Sequence, residues 1–376
     1  MGMVGGGPGS FIGGVHRIAA AIDNEIELVC GAFSSSAEKS KAFAKTLYIP
    51  ENRGYGSYED MIRKEALLPD NERMDFVAIT TPNHLHHQPA VLALQNGFHV
   101  ICDKPLAFSM EEALDIKKYV DQSGKVFALT HNYSAYPMIK QAKDMIRNGE
   151  LGALRKVVVE YPQGWLSQNL EESGHKQAEW RTDPTRSGIA GAVGDIGTHA
   201  AHLLEYTTGM KITKLCADVH TFVSGRALDD DASILIQMEK GVRGVLYCSQ
   251  ISTGEENPLR IRIYGEKAGI EWMQMEPNTL KVKRTGEPTQ LYRTGIGAMS
   301  TSAEAHFRIP GGHPEGYLEA FANLYRNFAR AVRKHPESDP ERDLYDFPTV
   351  DDGIRGMHFI QKVIESGNSN QKWISL

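Results

Sequence analysis

Residues 4–13 of the chain read VGGGPGSFIG, and they lie between an apolar run at residues 1–6 and a helical pattern at residues 13–23. Glycines at a turn from strand to helix permit positive φ angles and let backbone amides approach a diphosphate at the positive end of the helix. In this context the stretch indicates a bound dinucleotide. Gly5 and Gly7 fit the first two glycines of the usual motif, whereas Gly13 comes two residues later than the third, which predicts a longer loop.

Around this turn, the first 130 residues alternate short apolar runs with amphipathic stretches of helical length. Strands are predicted at residues 1–6, 27–33, 75–79, 99–102 and 126–130. Helices are predicted at residues 13–23, 37–45, 58–64 and 85–95, and after the capping-box serine Ser109. This alternation predicts a doubly wound parallel sheet with helices on both faces.

Beyond residue 130 the pattern changes to runs of strands. Helices are predicted at residues 137–147, 196–208, 314–333 and 350–366, a strand at 154–161, and loops at 163–192 and 285–313. Residues 212–284 are typical of successive strands joined by tight turns, with Lys240-Gly241 as a hairpin signal. We therefore expect an α/β domain over residues 1–130, followed over residues 131–376 by an α+β domain with a large, open, mostly antiparallel sheet.

Length and composition set limits on function. The 376 residues suggest about two domains. With 41 basic and 47 acidic residues the net charge is −6, which argues against binding to nucleic acid or acidic lipid. No apolar run reaches the ~18 residues of a membrane span, and no basic-then-apolar leader is evident. The scattered cysteines fit reduced thiols, so we expect a cytoplasmic protein.

The end of the second strand normally carries an acidic residue that holds the adenosine ribose. Here the residues are Phe33-Ser34-Ser35-Ser36, without Asp or Glu. Ser34, Ser35 and Lys39 can accept a 2′-phosphate, but no arginine is present to stack on adenine. These residues leave NAD and NADP both open, and we favour NAD.

Two further motifs carry reactive side chains. Cys102-Asp103-Lys104-Pro105 ends a predicted buried strand, at the edge where open α/β sheets bind ligands. Residues 194–199 read GDIGTH and open a helix, so that Asp195 and His199 are four residues apart on one helical face. A carboxylate so placed can orient an imidazole, whose ordinary pKa near neutrality suits a general base.

In combination these motifs resemble the glucose–fructose oxidoreductase/inositol dehydrogenase (Gfo/Idh/MocA) family. The resemblance covers nearly the whole chain in the right order and is carried by the glycine turn, Thr81-Pro82-Asn83 with His86, Asp103-Lys104-Pro105, Trp180-Arg181 and Asp195-Ile196-Gly197-Thr198-His199. It implies an N-terminal Rossmann domain, a C-terminal domain whose sheet often joins subunits, and NAD(P)-dependent redox chemistry on sugars or cyclitols. Asp103 departs from the family's usual Glu, so its carboxylate is one methylene shorter.

The resemblance also implies a role for individual residues. His199 would take the hydroxyl proton, and Asp195 would orient the His199 ring or share its proton. Lys104 would stabilise the developing alkoxide at the same carbon. The implied cofactor-binding residues are Gly5, Gly7, Pro8, Gly9, Ser10, Phe11, Ile12, Ser34, Ser35, Lys39, Thr81, Pro82, Asn83, His86, Asp103, Lys104, Asn132, Trp180 and Arg181. The implied substrate-binding residues are Lys104, Tyr133, Trp165, His175, Lys176, Arg181, Asp195, His199 and His313. No metal is expected, since nicotinamide chemistry needs none.

Three functions remain open at this stage. The leading one is a dehydrogenase that oxidises a secondary alcohol of a sugar, cyclitol or sugar derivative. An NAD-dependent glycosidase, acting by transient oxidation, elimination, water addition and re-reduction, is the alternative, with Tyr133, His175 and His313 as extra acid/base groups. A silent nucleotide-binding regulator is the third. The expected partners are a small carbohydrate or cyclitol and a second copy of the chain, as a homodimer or homotetramer. The Asp229-Asp230-Asp231 run is expected to be solvated or at an interface.

Overall fold

The chain divides into two units. The computed structural model describes residues 1–333 and 345–376, except for the side chain of Lys176. The first unit comprises Met1–Thr130 and Tyr317–Ile354, and the second comprises His131–Gly316 and Arg355–Leu376. Residues 317–333 and 345–354 therefore lie with the first unit, whereas the sequence predicted them in the second domain.

The strands and helices follow the predicted order closely. The strands are β1 (Gly2–Gly5), β2 (Cys30–Ala32), β3 (Phe76–Thr80), β4 (His99–Cys102), β5 (Phe127–Leu129), β6 (Leu154–Pro162), β7 (Ile212–His220), β8 (Asp231–Met238), β9 (Arg243–Ser249), β10 (Arg260–Gly265), β11 (Gly269–Met273), β12 (Thr279–Lys283), β13 (Gln290–Arg293) and β14 (Trp373–Ser375). The helices are α1 (Phe11–Ile22), α2 (Ala37–Thr46), α3 (Tyr58–Glu65), α4 (His87–Gln95), α5 (Met110–Ser123), α6 (Pro137–Arg147), α7 (Lys176–Arg181), α8 (Pro184–Ser187), α9 (Thr198–Thr208), α10 (Thr301–Glu304), α11 (Tyr317–Arg333) and α12 (Val350–Asn368).

The first unit is built on a five-stranded parallel sheet in the order β2-β1-β3-β4-β5. Met3 of β1 pairs with Gly31 of β2 on one side and with Ala78 of β3 on the other. Because all of these strands run in the same direction, their carboxyl ends lie along one edge. That edge therefore carries the glycine turn after β1, Thr81 after β3, Asp103 and Lys104 after β4, and Thr130 after β5.

Helix α11 completes the core of the first unit. Phe321, Tyr325 and Phe328 of this helix are buried in the same apolar cluster as Met3 and Ala78 of the sheet. Burying each large apolar side chain contributes about 1.5–3 kcal/mol. This burial explains why the helix lies with the first unit although it follows the second in sequence.

The second unit is built on a nine-stranded sheet in the order β13-β12-β11-β10-β6-β9-β8-β7-β14. Strands β6 and β9 pair in parallel, and the other neighbours are antiparallel, as the sequence predicts. Helices α6 and α9 pack on one face, against β6, β9, β11 and β12. The alternation of buried and outward side chains along β8 fits a sheet that is covered on one face.

Several short elements escaped the sequence analysis. Strand β13 and helix α10 lie in the predicted loop at residues 285–313, and α7 and α8 lie in the loop at residues 163–192. Each has only four to six residues, too few for a periodic pattern to show.

None of the helices in the described ranges has both the length and the apolar composition that crossing a bilayer requires. The four cysteines are unpaired, and Cys30, Cys102 and Cys248 are buried.

Candidate active site

The glycine turn of the first unit has the constraints that the sequence predicts. Gly5, Gly6 and Gly9 have φ angles of +83°, +69° and +75°, which side chains rarely adopt. A Cβ atom on Gly7 would lie 2.2 Å from the carbonyl oxygen of Phe33, and one on Gly13 would lie 2.2 Å from Cα of Gly6. The turn is therefore packed tightly against the backbone, and Gly13 has the close-packing role of the third motif glycine.

Helix α1 begins directly after this turn. Its N-cap is Ser10, whose Oγ accepts a hydrogen bond from Gly13 N. Phe11 is 68% exposed and its ring lies 6.4 Å from the ring of Tyr317, whereas Ile12 packs against the core. Backbone amides at the positive end of a 12-residue helix suit an anionic diphosphate. The exposed Pro8 and Gly9 lie in the same loop.

The predicted ribose-binding segment follows β2. Ser34 Oγ accepts a hydrogen bond from Ser36 N, and Ser36 caps α2 by accepting from Lys39 N. Ser35 and Lys39 are exposed. The hydroxyls of Ser34 and Ser36 thus organise the turn, while the side chains of Ser35 and Lys39 are accessible to a ligand.

Asp103 has a defined set of neighbours at the end of β4. Its Oδ1 accepts a hydrogen bond from Thr130 Oγ1 at 2.7 Å and lies 4.0 Å from Nε2 of the fully buried His16. Nδ1 of His16 lies 2.7 Å from the hydroxyl of Tyr325. Burial lowers the pKa of His16 to about 4, so this imidazole is neutral. Lys104, which is half-buried, follows directly. Neither His16 nor Thr130 was predicted from the sequence to belong to this site.

His86, which was expected to line the cofactor pocket, contacts two backbone carbonyl groups. Its side chain is buried, and its ring nitrogens lie 2.9 Å from the carbonyl oxygen of Pro105 and 2.8 Å from that of Thr81. Burial lowers the pKa of this imidazole. His86 thus braces the two loops that carry Thr81 and Lys104. Pro82 is half-buried and Asn83 is buried in the first of these loops.

In the second unit, His199 lies among aromatic side chains at the start of α9. It is 8% exposed. Its ring centroid is 5.1 Å from that of His131, 4.8 Å from that of Tyr133 and 6.5 Å from that of Tyr161. Nδ1 of His199 lies 3.3 Å from Nδ1 of His131. His199 and Tyr133 were predicted from the sequence, whereas His131, just after a predicted strand, and Tyr161, at the end of another, belong to no motif.

Asp195 lies in a π-helical turn, Val193–Gly197, that precedes α9. Such a turn changes the angular relation that an α-helix would give to residues four apart, and π-turns are frequent at functional sites. Asp195 Oδ2 accepts hydrogen bonds from Arg181 Nε at 3.1 Å and from Gln250 Nε2 at 2.8 Å. The carboxylate is thus held by a cation and an amide, of which Gln250 had no sequence signal.

The long polar loop brings further predicted residues to this region. The guanidinium of Arg181 stacks over the ring of Trp180 at 4.3 Å and lies 5.9 Å from the ring of Trp165. Trp165 Nε1 donates to Gln163 Oε1, and Gln163 Nε2 donates to Asn257 Oδ1. The loop therefore connects the Arg181–Asp195 pair to a network of amide side chains.

This amide network continues to the tyrosines beside His199. Tyr161 donates to Asn257 Oδ1 at 2.8 Å, and the hydroxyls of Tyr133 and Tyr161 are 2.5 Å apart. Burial raises the pKa of Tyr133, so its hydroxyl keeps its proton. The region thus combines aromatic faces with hydroxyl and amide groups.

The other predicted residues have separate positions. His175 is exposed and caps α7 by accepting from Ala178 N, and His313 is exposed with Nδ1 3.0 Å from the carbonyl oxygen of Pro310. In the described ranges, the structure does not join His313 to the His199 region. Lys176 lies outside the described side chains. Asn132 is 1% exposed, and its Nδ2 has no hydrogen-bond partner among the described residues.

Asp229 and Asp230 of the acidic run are buried and Asp231 is half-buried, whereas the run was expected to be solvated or at an interface. Asp229 accepts hydrogen bonds from Gly191 N and Val193 N, and burial raises the pKa of its carboxyl to about 6. Asp230 accepts from Arg226, whose side chain is itself buried. Asp229 therefore anchors the backbone that leads into the π-turn of Asp195.

Family models match parts of both units of the chain. The model of an oxidoreductase family with an NAD-binding Rossmann fold matches residues 1–131, and the GFO/IDH/MocA C-terminal domain model matches residues 139–271. The chain is 36% identical over 376 residues to the uncharacterized oxidoreductase YfiI of Bacillus subtilis, covering 99% of this chain and 95% of that protein.

Two solved structures are also similar. An oxidoreductase from Sinorhizobium meliloti is 44% identical, with a TM-score of 0.89 over 99% of this chain and 98% of that chain. An inositol dehydrogenase homologue from Azotobacter vinelandii, solved with NADH and myo-inositol, is 32% identical, with a TM-score of 0.91 over 100% of this chain and 97% of that chain.

Proposed function

Because the chain belongs to the Gfo/Idh/MocA family of NAD-binding oxidoreductases, we propose that it oxidises a secondary alcohol of a ring polyol, a cyclitol or a sugar. The enzyme class and the predicted NAD cofactor are confirmed by the family. A cyclitol is the best-supported substrate, since the Azotobacter relative was solved with myo-inositol.

The observation that carries the proposal is the surroundings of His199. A buried imidazole lies beside the rings of Tyr133 and Tyr161, and an amide network reaches both hydroxyls. Ring polyols have apolar faces and a rim of hydroxyls, so they suit a region that combines aromatic surfaces with donors and acceptors. Arg181 and Asp195 form a charged pair next to Trp165 of this network.

The dinucleotide is held by groups that fit its parts. The glycine turn and the start of α1 would offer amides to the diphosphate. When bound, NAD supplies the acceptor for the hydride that leaves the alcohol carbon.

Side chains of the protein accept the proton of the reacting hydroxyl. His199 takes it from the reacting hydroxyl, because an imidazole is an effective base near neutral pH. For Lys104, the family resemblance implies a donor that stabilises the negative charge developing on a substrate oxygen. Asp195, held by Arg181 and Gln250, offsets the positive charge that His199 acquires.

A turnover assay with NAD tests this function. The purified chain is incubated with myo-inositol, other cyclitols, sugars or sugar acids and with NAD or NADP, and the absorbance of the reduced nicotinamide is followed. We expect reduced cofactor to accumulate in proportion to product. Lys104→Met and His199→Asn should each lower kcat by about 10²–10⁴ while NAD affinity is retained. Cleavage of glycosides without net NADH would instead favour the glycosidase, and full activity of both variants would reject the assigned roles.

We also propose that the chain forms a homo-oligomer through the outward face of the nine-stranded sheet. Leu235 of β8 is 49% exposed on this face, and its neighbour across the strand pair is Val245. Light scattering should find a dimer or tetramer that Leu235→Arg weakens. Leu114→Arg, at an apolar position of α5 with 54% exposure, is the matched control. A wild-type monomer would contradict the proposal.

A further inference from the structure

His131 is a buried histidine next to the proposed base, and no motif assigned it a role. It follows Thr130 at the end of β5 and is 2% exposed. Its Nδ1 lies 3.3 Å from Nδ1 of His199, with the two rings nearly perpendicular at 86°. On its other side the ring stacks on His202, with centroids 4.4 Å apart and planes 9° apart. Its ring orientation is therefore set by packing as well as by the contact with His199.

The contact joins the same nitrogen of both rings, and this limits the protons that the pair can carry. A neutral imidazole has one N–H donor and one acceptor nitrogen. In a hydrogen bond between two Nδ1 atoms, one ring must donate and the other must accept. If His199 donates, its lone pair is on Nε2. If His131 donates, His199 carries its proton on Nε2 and cannot take one there from a substrate.

We propose that His131 is a positioning residue that accepts a hydrogen bond from Nδ1–H of His199 and thereby fixes His199 in the tautomer that can act as a base. The inference rests on the proposed function, in which His199 is the general base. The same hydrogen bond stabilises the imidazolium that forms when His199 takes the hydroxyl proton. A carboxylate has this role in serine hydrolases, whereas here the acceptor is a second imidazole.

Charged and titratable groups also surround the pair. Oδ2 of Asp195 accepts hydrogen bonds from Arg181 and Gln250. Within the described part of the chain, the groups that face the two rings, or the rings stacked on them, include Tyr133, Tyr161, His202, Tyr206, Lys140 and Lys143. These groups are unchanged in the variants below, so any difference between the variants reports on His131.

Two substitutions separate the hydrogen bond from the packing. His131→Phe keeps a ring that can stack on His202 but removes the acceptor. His131→Asn loses the ring but keeps a carbonyl oxygen near the position of Nδ1. We expect kcat to fall by about 10²-fold or more in His131→Phe and by less than about 10-fold in His131→Asn. The pH profile of kcat/KM reports the apparent pKa of the general base. This apparent pKa should shift in His131→Phe and stay unchanged in His131→Asn. A purely structural role predicts the reverse order, which would overturn the proposal.

A measurement without turnover tests the tautomer directly. The full chain is labelled with ¹⁵N-histidine, and the signals of His199 are assigned with His199→Asn. Nδ1 of His199 should carry the proton in the wild type and in His131→Asn, and this preference should be lost in His131→Phe. A wild-type His199 protonated on Nε2 would refute the inference. If no alcohol is oxidised, the proposed function fails, yet the tautomer still decides whether His131 orients His199. Thermal unfolding shows whether each variant is folded.

Discussion

The Thr130 hydroxyl donates a hydrogen bond to Asp103, with 2.7 Å between Oγ1 and Oδ1. The two residues follow neighbouring parallel strands, β5 and β4, so their contact ties together the ends of both strands. Asp103 directly precedes Lys104 and has the shorter side chain where the family usually has Glu. The hydrogen bond gives this carboxylate a fixed donor directly after the next strand.

Thr130→Val should therefore destabilise the first unit and disturb Lys104 without changing side-chain volume. The carboxylate of Asp103 would lose a donor within a mostly buried environment, which costs about 1.5–3 kcal/mol for a charged acceptor. Urea denaturation should show this loss in the free energy of unfolding. We also expect a lower kcat with a nearly unchanged KM, since Lys104 acts on the transition state.

Thr46→Val is the matched control. The hydroxyl of Thr46 donates to the carbonyl oxygen of Phe43 at an exposed position. Water can replace that donor, so the free energy of unfolding should change by less than about 0.5 kcal/mol. Equal effects of the two substitutions would mean that the Thr130–Asp103 hydrogen bond has no special role.

Residues in local motifs could be predicted from the sequence, whereas residues with distant partners could not. The glycine turn, the strand end at Lys104 and the helix of His199 are local patterns, and periodicity together with turn chemistry locates them. His16 and His131 have no local signal, because their partners Tyr325 and His199 are 309 and 68 residues away. The burial of Asp229 was likewise hidden, since its hydrogen bonds to Gly191 and Val193 form only when the loop folds back.

The pKa of His16 predicts a pH dependence of stability. Burial lowers this pKa from 6.5 to about 4 in the folded chain. Between these values the unfolded chain binds a proton that the folded chain does not, so the free energy of unfolding falls as the pH falls. The slope from His16 is at most about 1.4 kcal/mol per pH unit. The buried neutral imidazole is therefore a source of acid sensitivity.

The pKa of Asp229 has the opposite effect. Burial raises it from 3.8 to about 6, so between these values the folded chain holds the proton that the unfolded chain has lost. The contribution of Asp229 to the free energy of unfolding therefore rises as the pH falls. This rise offsets much of the decrease that His16 causes. The pH profile of the wild type alone therefore does not isolate either group.

Comparison with His16→Asn removes this overlap. Asparagine keeps an acceptor for the Tyr325 hydroxyl, whose pKa burial raises, and it has no titrating group. The wild type should lose about 2–3 kcal/mol relative to this variant between pH 7 and pH 4. Urea denaturation across this range measures the difference, and parallel profiles would contradict a buried neutral His16.

Gly7→Ala should weaken NAD binding, because its Cβ would lie 2.2 Å from the carbonyl oxygen of Phe33 and force the turn away from β2. We expect at least a 10-fold rise in the Kd for NAD, measured by calorimetry, together with a lower unfolding temperature. Gly14→Ala is the control: a Cβ there meets nothing within 4 Å, and alanine is favoured in a helix by about 1 kcal/mol. That variant should bind NAD normally and unfold at a higher temperature. The substitution can affect NAD only by displacing the backbone of the turn and, with it, the amides of α1. Normal NAD affinity in Gly7→Ala would therefore show that the turn does not hold the diphosphate.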